Sequence, residues 1–284
     1  MNELSSNELI NKLMKIQDEK YDQEKSKLRR IFISIITPEW FYSNSTLLDL
    51  NSITWERLEK SKNFMDICPT EFDNINTDYE DRFEKSFSSW YQPYHILREN
   101  KWGIHIRIDS IKRIAKRFFY HNSYKTSKNN TIINSFKSAF IFIYFHHLFH
   151  NLVENITSIM EIKYNIPIIY LQYYSEIYSK TLHSSFCLEE FLANIYLIER
   201  MKKYNIDKEF LENYILELKI NKKTDYFNLN DMFLLQKKLI LQIQNNLSNF
   251  YDVTLEQILE YINSENNSQY ILPIWIHKTP KPLF

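Results

Sequence analysis

Residues 131–164 read TIINSFKSAFIFIYFHHLFHNLVENITSIMEIKY, and no proline or glycine interrupts them before Pro167. Apolar side chains recur here at three- and four-residue intervals, which predicts one long helix ending before the proline. Its longest apolar run, Ala139 to Phe145, is only seven residues, well short of the ~20 that cross a bilayer. The segment Tyr144-Phe145-His146-His147-Leu148-Phe149-His150-Asn151-Leu152-Val153-Glu154 is the most informative stretch of that helix, with three histidines in five residues. With His146 set at 0° and about 100° per residue, His150 falls near 40°, Glu161 near 60° and Glu154 near 80°. Leu148, Phe149, Leu152, Val153, Ile156, Ile159 and Met160 lie between about 200° and 340° on the same wheel. The His/Glu stripe therefore borders the apolar face, with Asn151, Asn155 and Ser158 on the polar side. Imidazoles at i and i+4 sit one turn apart and can chelate one ion.

Working outward, Trp102-Gly103-Ile104-His105-Ile106-Arg107-Ile108-Asp109 alternates isoleucine with His and Arg, the period-2 pattern of a strand. Asp109 or Ser110 can cap a basic helix, Ile111 to Phe119. On the other side, helical patterns cover Ile168–Lys180, Cys187–Tyr204, Lys208–Leu218, Asn230–Leu247 and Thr254–Ile262. Before the strand, helices are predicted over Asn7–Ile36, from Asn51 to just before Pro69, and over Tyr79–Trp90. Tyr270 to His277 reads as a last strand, which Pro273 would confine to a sheet edge. The fold class is mostly α (α+β), a helical protein with a small β-sheet of two to four strands. Two regions are expected, an N-terminal helical region over residues 1–100 and a domain over residues 101–284, which can also form one continuous domain.

Composition narrows the function. The 284 residues carry 35 basic and 35 acidic side chains, so a globally cationic nucleic-acid binder is disfavoured. Hydrophobic residues make up 44%, ample for a core, so general disorder is excluded. A single glycine cannot build a phosphate loop or a dinucleotide fingerprint. Two distant cysteines, Cys68 and Cys187, make no disulfide framework, and the polar start has no apolar signal segment. The expected setting is cytoplasmic, without a membrane. The excess of Asn, Ile, Lys, Tyr and Phe over Gly points to an AT-rich, bacterial genome.

His146-x-x-x-His150 resembles the HExxH helix of zincin metallopeptidases. In their gluzincin branch a later helix supplies a glutamate ligand, often within Glu-x-x-Ala-Asp or Glu-x-x-Ala-Asn, and this chain has Glu190-Phe191-Leu192-Ala193-Asn194. The resemblance covers roughly residues 101–200, including the strand ahead of the helix, since zincins hold extended substrate along an edge strand. It implies Zn2+ held by His146, His150 and Glu190, with water in the open position and a protein or peptide as substrate. The motif's glutamate is replaced by His147, which becomes the candidate base, with Glu154 as the second catalytic candidate. Glu154 or Asn194 would orient the ligands, or Glu154 would serve as a fourth one. An alternative trio is His147, His150 and Glu154. Bacterial proteins of this kind often serve regulatory, toxin or phage-defence systems.

Two readings from other classes stand beside it. The site can be structural, in a helical interaction subunit that binds a partner protein. Alternatively Lys112, Arg113, Lys116 and Arg117, in the basic 111–128 segment, form a nucleic-acid contact; for a chain of zero net charge a solvated helix face is the simpler reading. Tyr170, Tyr173, Tyr174 and Tyr178 are expected as core and cleft wall.

Overall fold

The computed structural model of the chain describes residues 12, 45–48, 55–72, 89–96, 102–122, 128–165, 169–181, 187–201, 204 and 272–277. In chain order these form β1 (Ser45–Leu48), α1 (Trp55–Lys60), α2 (Lys62–Met65), β2 (Ser89–Gln92), β3 (Gly103–Arg107), α3 (Ile108–Asn122) and α4 (Lys128–Tyr164). Then come α5 (Ile169–Tyr173), a π-helical turn (Tyr174–Tyr178), α6 (Ser179–Thr181), α7 (Leu188–Met201) and β4 (Ile274–His277). The described residues are mostly helical with one small sheet, the class the sequence periodicities predict. The helices expected over 7–36, 208–218, 230–247 and 254–262 lie outside the described residues, residue 12 apart. No helix among the described residues is long and apolar enough to cross a membrane.

The sheet runs β1-β4-β3-β2. Three expectations change here. β4 is a central strand, parallel to β3 and antiparallel to β1. Pro273 precedes its first residue, so the missing N–H costs no ladder bond. Instead the Pro273 carbonyl accepts from the Ile104 N–H at 2.8 Å. This close approach explains the one glycine: Gly103 has φ +118°, and a Cβ there would sit 2.3 Å from the Pro273 oxygen. Secondly, Ser89–Gln92, expected as a helix end, is the strand antiparallel to β3. Thirdly, β1 and β2 precede residue 100 and share the sheet with β3 and β4, so a boundary at 100/101 runs through one sheet.

The alternation in β3 does not divide a wet face from a dry one. Ile104, His105 and Ile106 are all fully buried. His105 Nδ1 lies 2.8 Å from His277 Nε2 on the neighbouring strand, and Trp90 stacks on the His105 ring at 4.9 Å.

α4, about 55 Å long at ~1.5 Å per residue, is the axis of the core. α3, α5, α7, β2 and β3 all pack on it. α2, begun by Ser61 as its N-cap, seats Phe64 between Phe136 and Phe140, with both ring centroids at 5.2 Å.

The stripe Asn151, Asn155, Ser158, expected on a polar face, is buried as well, together with Glu154, Thr157 and Glu161. Buried polar groups need partners, and residues 91–95 supply them. The Tyr91 hydroxyl donates to Glu154 Oε2, and Asn151 Nδ2 donates to the Tyr91 oxygen at 2.7 Å. The Tyr94 hydroxyl donates to Asn155 Oδ1 at 3.1 Å. His95 places Nδ1 2.7 Å from Glu154 Oε1 and Nε2 2.8 Å from Glu161 Oε2, all three side chains fully buried. A ring that donates to both oxygens carries both protons and is a cation. Tyr94 and Tyr170 stack on its two faces at 4.8 and 4.7 Å, which favours a cation.

Burial opposes charge on His95, but the Glu161 and Glu154 carboxylates outweigh it and raise its pKa above the ordinary 6.5. A raised folded pKa adds stability that is complete below 6.5 and is lost as pH climbs through the raised value. Denaturant unfolding from about pH 6 to about pH 9 should give a midpoint that falls across the range. His95→Gln should be about 3–5 kcal/mol less stable, since it leaves two buried carboxylates without their cation, and should lose that share of the slope. A wild-type midpoint independent of pH in this range would contradict a charged His95.

Candidate metal centre

α7 begins beside the middle of α4, with Glu189 and Glu190 in its first turn, where the helix dipole favours carboxylates. Asn194 stands one turn further on. These three residues meet the two histidines that α4 carries one turn apart. His146 Nε2 lies 3.2 Å from Glu190 Oε2, His150 Nε2 lies 3.4 Å from Glu190 Oε1, and the two Nε2 atoms are 3.4 Å apart. The structure thus brings His146, His150 and Glu190 together from two helices that are 40 residues apart at the site.

Each imidazole is oriented from behind. His146 Nδ1 is 3.2 Å from Asn194 Oδ1, and His150 Nδ1 is 2.7 Å from Glu189 Oε1. The Tyr173 hydroxyl donates to the other Glu189 oxygen, and the Tyr178 hydroxyl donates to Glu190 Oε1 at 2.7 Å. Carboxylate or amide oxygen on the far nitrogen is the usual way a ligating imidazole is held in one tautomer. Burial disfavours charge on Glu190, but His150, His146 and the Tyr178 hydroxyl outweigh it and hold its carboxyl well below the usual range. Burial likewise disfavours charge on His150, and Glu190 and Glu189 outweigh it, so its pKa rises.

His147 is buried and points toward β2, where its Nε2 lies 2.8 Å from the Ser89 hydroxyl. Its Nδ1 has no hydrogen-bond partner. Burial first, and then His146 and His150, push its pKa well below 6.5, so the ring is neutral. The helical wheel puts position 147 toward the polar side of the helix. It is enclosed instead, because β2 covers that side. One ligand atom from each of His146, His147 and His150 lies within 4.8 Å of the others, and this histidine cluster can hold a metal ion.

Glu154 is placed elsewhere. Its expected place is one turn past His150, as ligand or orienting group, yet both its oxygens are taken by Tyr91 and His95. It belongs to the network that joins β2 to α4, so neither a catalytic role beside His147 nor a ligand trio with His147 and His150 follows from its contacts. Sequence reasoning missed Glu189, Ser89, Tyr173 and Tyr178. Glu189 carried a signal as the first of two adjacent acids at a helix start, and Tyr173 and Tyr178 were expected as core and cleft wall with no role toward a ligand. Of the basic group on α3, Arg117 is exposed, while Lys112, Arg113 and Lys116 are half-buried; Arg113 donates to Ser110 Oγ at 3.2 Å.

Cys68 and Cys187 are free, and burial raises their pKa values to about 11 and about 12, which leaves both as unreactive thiols. The chain matches no family model, no curated protein and no solved structure. The site's chemistry is therefore read from its own donors, two or three imidazoles and one carboxylate, a set suited to a divalent transition metal.

Protein stripped of metal by a chelator and dialysed should take up one such ion per chain. His150→Ala should abolish uptake, and Glu189→Gln should weaken it about 10- to 100-fold through the His150 ring. Competition against a chromophoric chelator measures both. Uptake unchanged in His150→Ala would contradict the site.

Proposed function

We propose that the protein is a zinc-dependent hydrolase that cleaves peptide bonds in extended segments, with His146, His150 and Glu190 as its zinc ligands. One observation carries this reading. Zinc bonds of ~2.0–2.1 Å at tetrahedral angles set neighbouring ligand atoms about 3.3–3.4 Å apart. The two imidazole Nε2 atoms here are 3.4 Å apart, and Glu190 sets Oε2 3.2 Å from His146 Nε2 and Oε1 3.4 Å from His150 Nε2. The imidazole pair matches one such edge, and the Glu190 carboxylate turns one oxygen toward each ring at distances long for hydrogen bonds between charged partners. A two-histidine, one-glutamate set leaves a fourth position open, the arrangement of catalytic zinc.

Bound there, zinc would polarise a carbonyl and acidify a water. The chain's own residues supply the rest. His147 stands beside the ligands with Nδ1 unpartnered and its ring fixed by Ser89 through Nε2; its lowered pKa makes it a weak base that would hold a proton only transiently. β2 is the terminal strand of the described sheet and carries Ser89, so it lies against the site. Such a strand can hold an extended peptide by backbone hydrogen bonds. The resemblance to zincins supports the same roles, with histidine in place of their glutamate.

The three-histidine cluster favours a second reading, in which His147 Nδ1 is itself a ligand and the ion is structural, in a protein that acts by binding a partner. One substitution separates the two. His147→Ala should retain zinc, measured by elemental analysis, and lose cleavage of unstructured peptides by about 10²- to 10⁴-fold. Loss of zinc along with activity would instead make His147 a ligand. Full activity in the variant would remove its role as base.

A further inference from the structure

The helix that follows α4 is not regular. α5 passes at Tyr174 into a π-helical turn that ends at Tyr178, and the Ser179 N–H donates to the Tyr174 carbonyl, an i→i+5 bond. Single π turns inside α-helices are rare, and where they occur they frequently lie at functional sites. The residue just before this turn and its last residue are Tyr173 and Tyr178. Tyr173 donates to Glu189 and Tyr178 to Glu190, two consecutive acids at the start of α7.

Five residues along an α-helix turn through about 500°, which leaves the first and last about 140° apart around the axis. Two such side chains cannot both face the same short segment of a neighbouring helix. A wider i→i+5 turn brings residues five apart back toward one face. Tyr170, Tyr174 and Tyr178 remain in a ladder, with ring centroids at 6.0 and 5.4 Å, so the turn keeps its packing while Tyr173 and Tyr178 converge.

We propose that the π turn is a register device: it lets Tyr173 and Tyr178 hold Glu189 and Glu190 together, and so fixes the carboxylate ligand and the carboxylate that orients His150. This deepens the metal-centre reading and rests on it. Tyr178 is a positioning residue, since it acts through Glu190. Glu190 is the ligand most in need of one. Its side chain is 29% exposed, against 5% for Glu189. Its only hydrogen bond shorter than 3 Å among the described residues is the one from Tyr178. A neutral hydroxyl fixes the carboxylate without cancelling the charge that attracts a cation. Without it, Glu190 can rotate from the first turn of α7 into water.

The test uses the full chain loaded with Co2+, whose visible absorption reports ligand number and geometry. Tyr178→Phe should still bind one Co2+ per chain, with affinity reduced about 10- to 100-fold and an altered visible spectrum. Inserting one alanine after Ser175 sets the two tyrosines six residues apart, about 120° from a common face. It should cost at least as much affinity as Tyr178→Phe, although both tyrosines remain. Ser175→Ala, which keeps the register, should bind as the wild type does. Tyr178→Phe with wild-type affinity and spectrum overturns the proposal, as does a folded insertion variant that binds as tightly as wild type. If the insertion does not fold, Tyr178→Phe decides alone. A wild-type chain that takes up no ion removes the metal reading and this inference with it. Wild-type binding that Tyr178→Phe leaves unchanged removes only this inference.

Discussion

Everything around α4 answers to one constraint, the desolvation of its own polar side chains. From His147 to Glu161 the helix carries two histidines, two asparagines, two glutamates, a threonine and a serine, and all of these are buried. An unpaired buried polar group costs on the order of 1–3 kcal/mol, and a charge costs more. No stable packing of β2, α5 and α7 was open that failed to present partners. Tyr91, Tyr94 and His95 therefore line one side, and Glu189, Glu190 and Asn194 the other. Thr157 and Ser158 turn back onto the helix and donate to the Glu154 carbonyl at 2.8 and 2.7 Å.

The quality of that pairing changes along the helix. At Glu154 and Glu161 the bonds are short, and His95 supplies a balancing cation. One to four turns earlier, at His146, His147 and His150, the contacts between the groups lengthen to 3.2–3.4 Å, and His147 Nδ1 has no partner. The far nitrogens of His150 and His147 are held at 2.7 and 2.8 Å, that of His146 at 3.2 Å, and the donors that face one another stay 3.2–3.4 Å apart. That contrast is the physical reason to place an ion at the first cluster and none at the second. The second cluster is a joint: it ties to α4 the segment that carries Ser89, and through Ser89 the ring of His147.

Much of this was legible in the sequence for definite reasons. The long helix was readable because 34 residues without Gly or Pro keep helical spacing. The ligand pair was readable because i,i+4 spacing is a property of the helix alone, whereas Glu190 was singled out only by the resemblance of Glu190-x-x-Ala193-Asn194 to the gluzincin motif. The sheet was harder. β1 and β2 are four residues each, too short for a period to register. Phe83, Phe87 and Trp90 fall at helical spacing, which hid the strand that begins at Ser89. β4 reads as an edge strand only when Pro273 is counted inside it. The burial of Asn151, Asn155 and Ser158 was not legible at all, since it depends on Tyr91, Tyr94 and His95 some 60 residues away. The π turn was equally silent, because an insertion of one residue leaves no mark on a helical pattern as short as Ile169–Thr181.

The convergence of His146, His150 and Glu190 on one ion is the claim on which the rest turns. Anomalous diffraction at the zinc edge, from crystals of the full chain grown with zinc, tests it most directly. A single strong peak about 2.0–2.2 Å from His146 Nε2, His150 Nε2 and a Glu190 oxygen is the expected result. A map with no peak between α4 and α7, or with a peak ligated by residues other than these three, would contradict it.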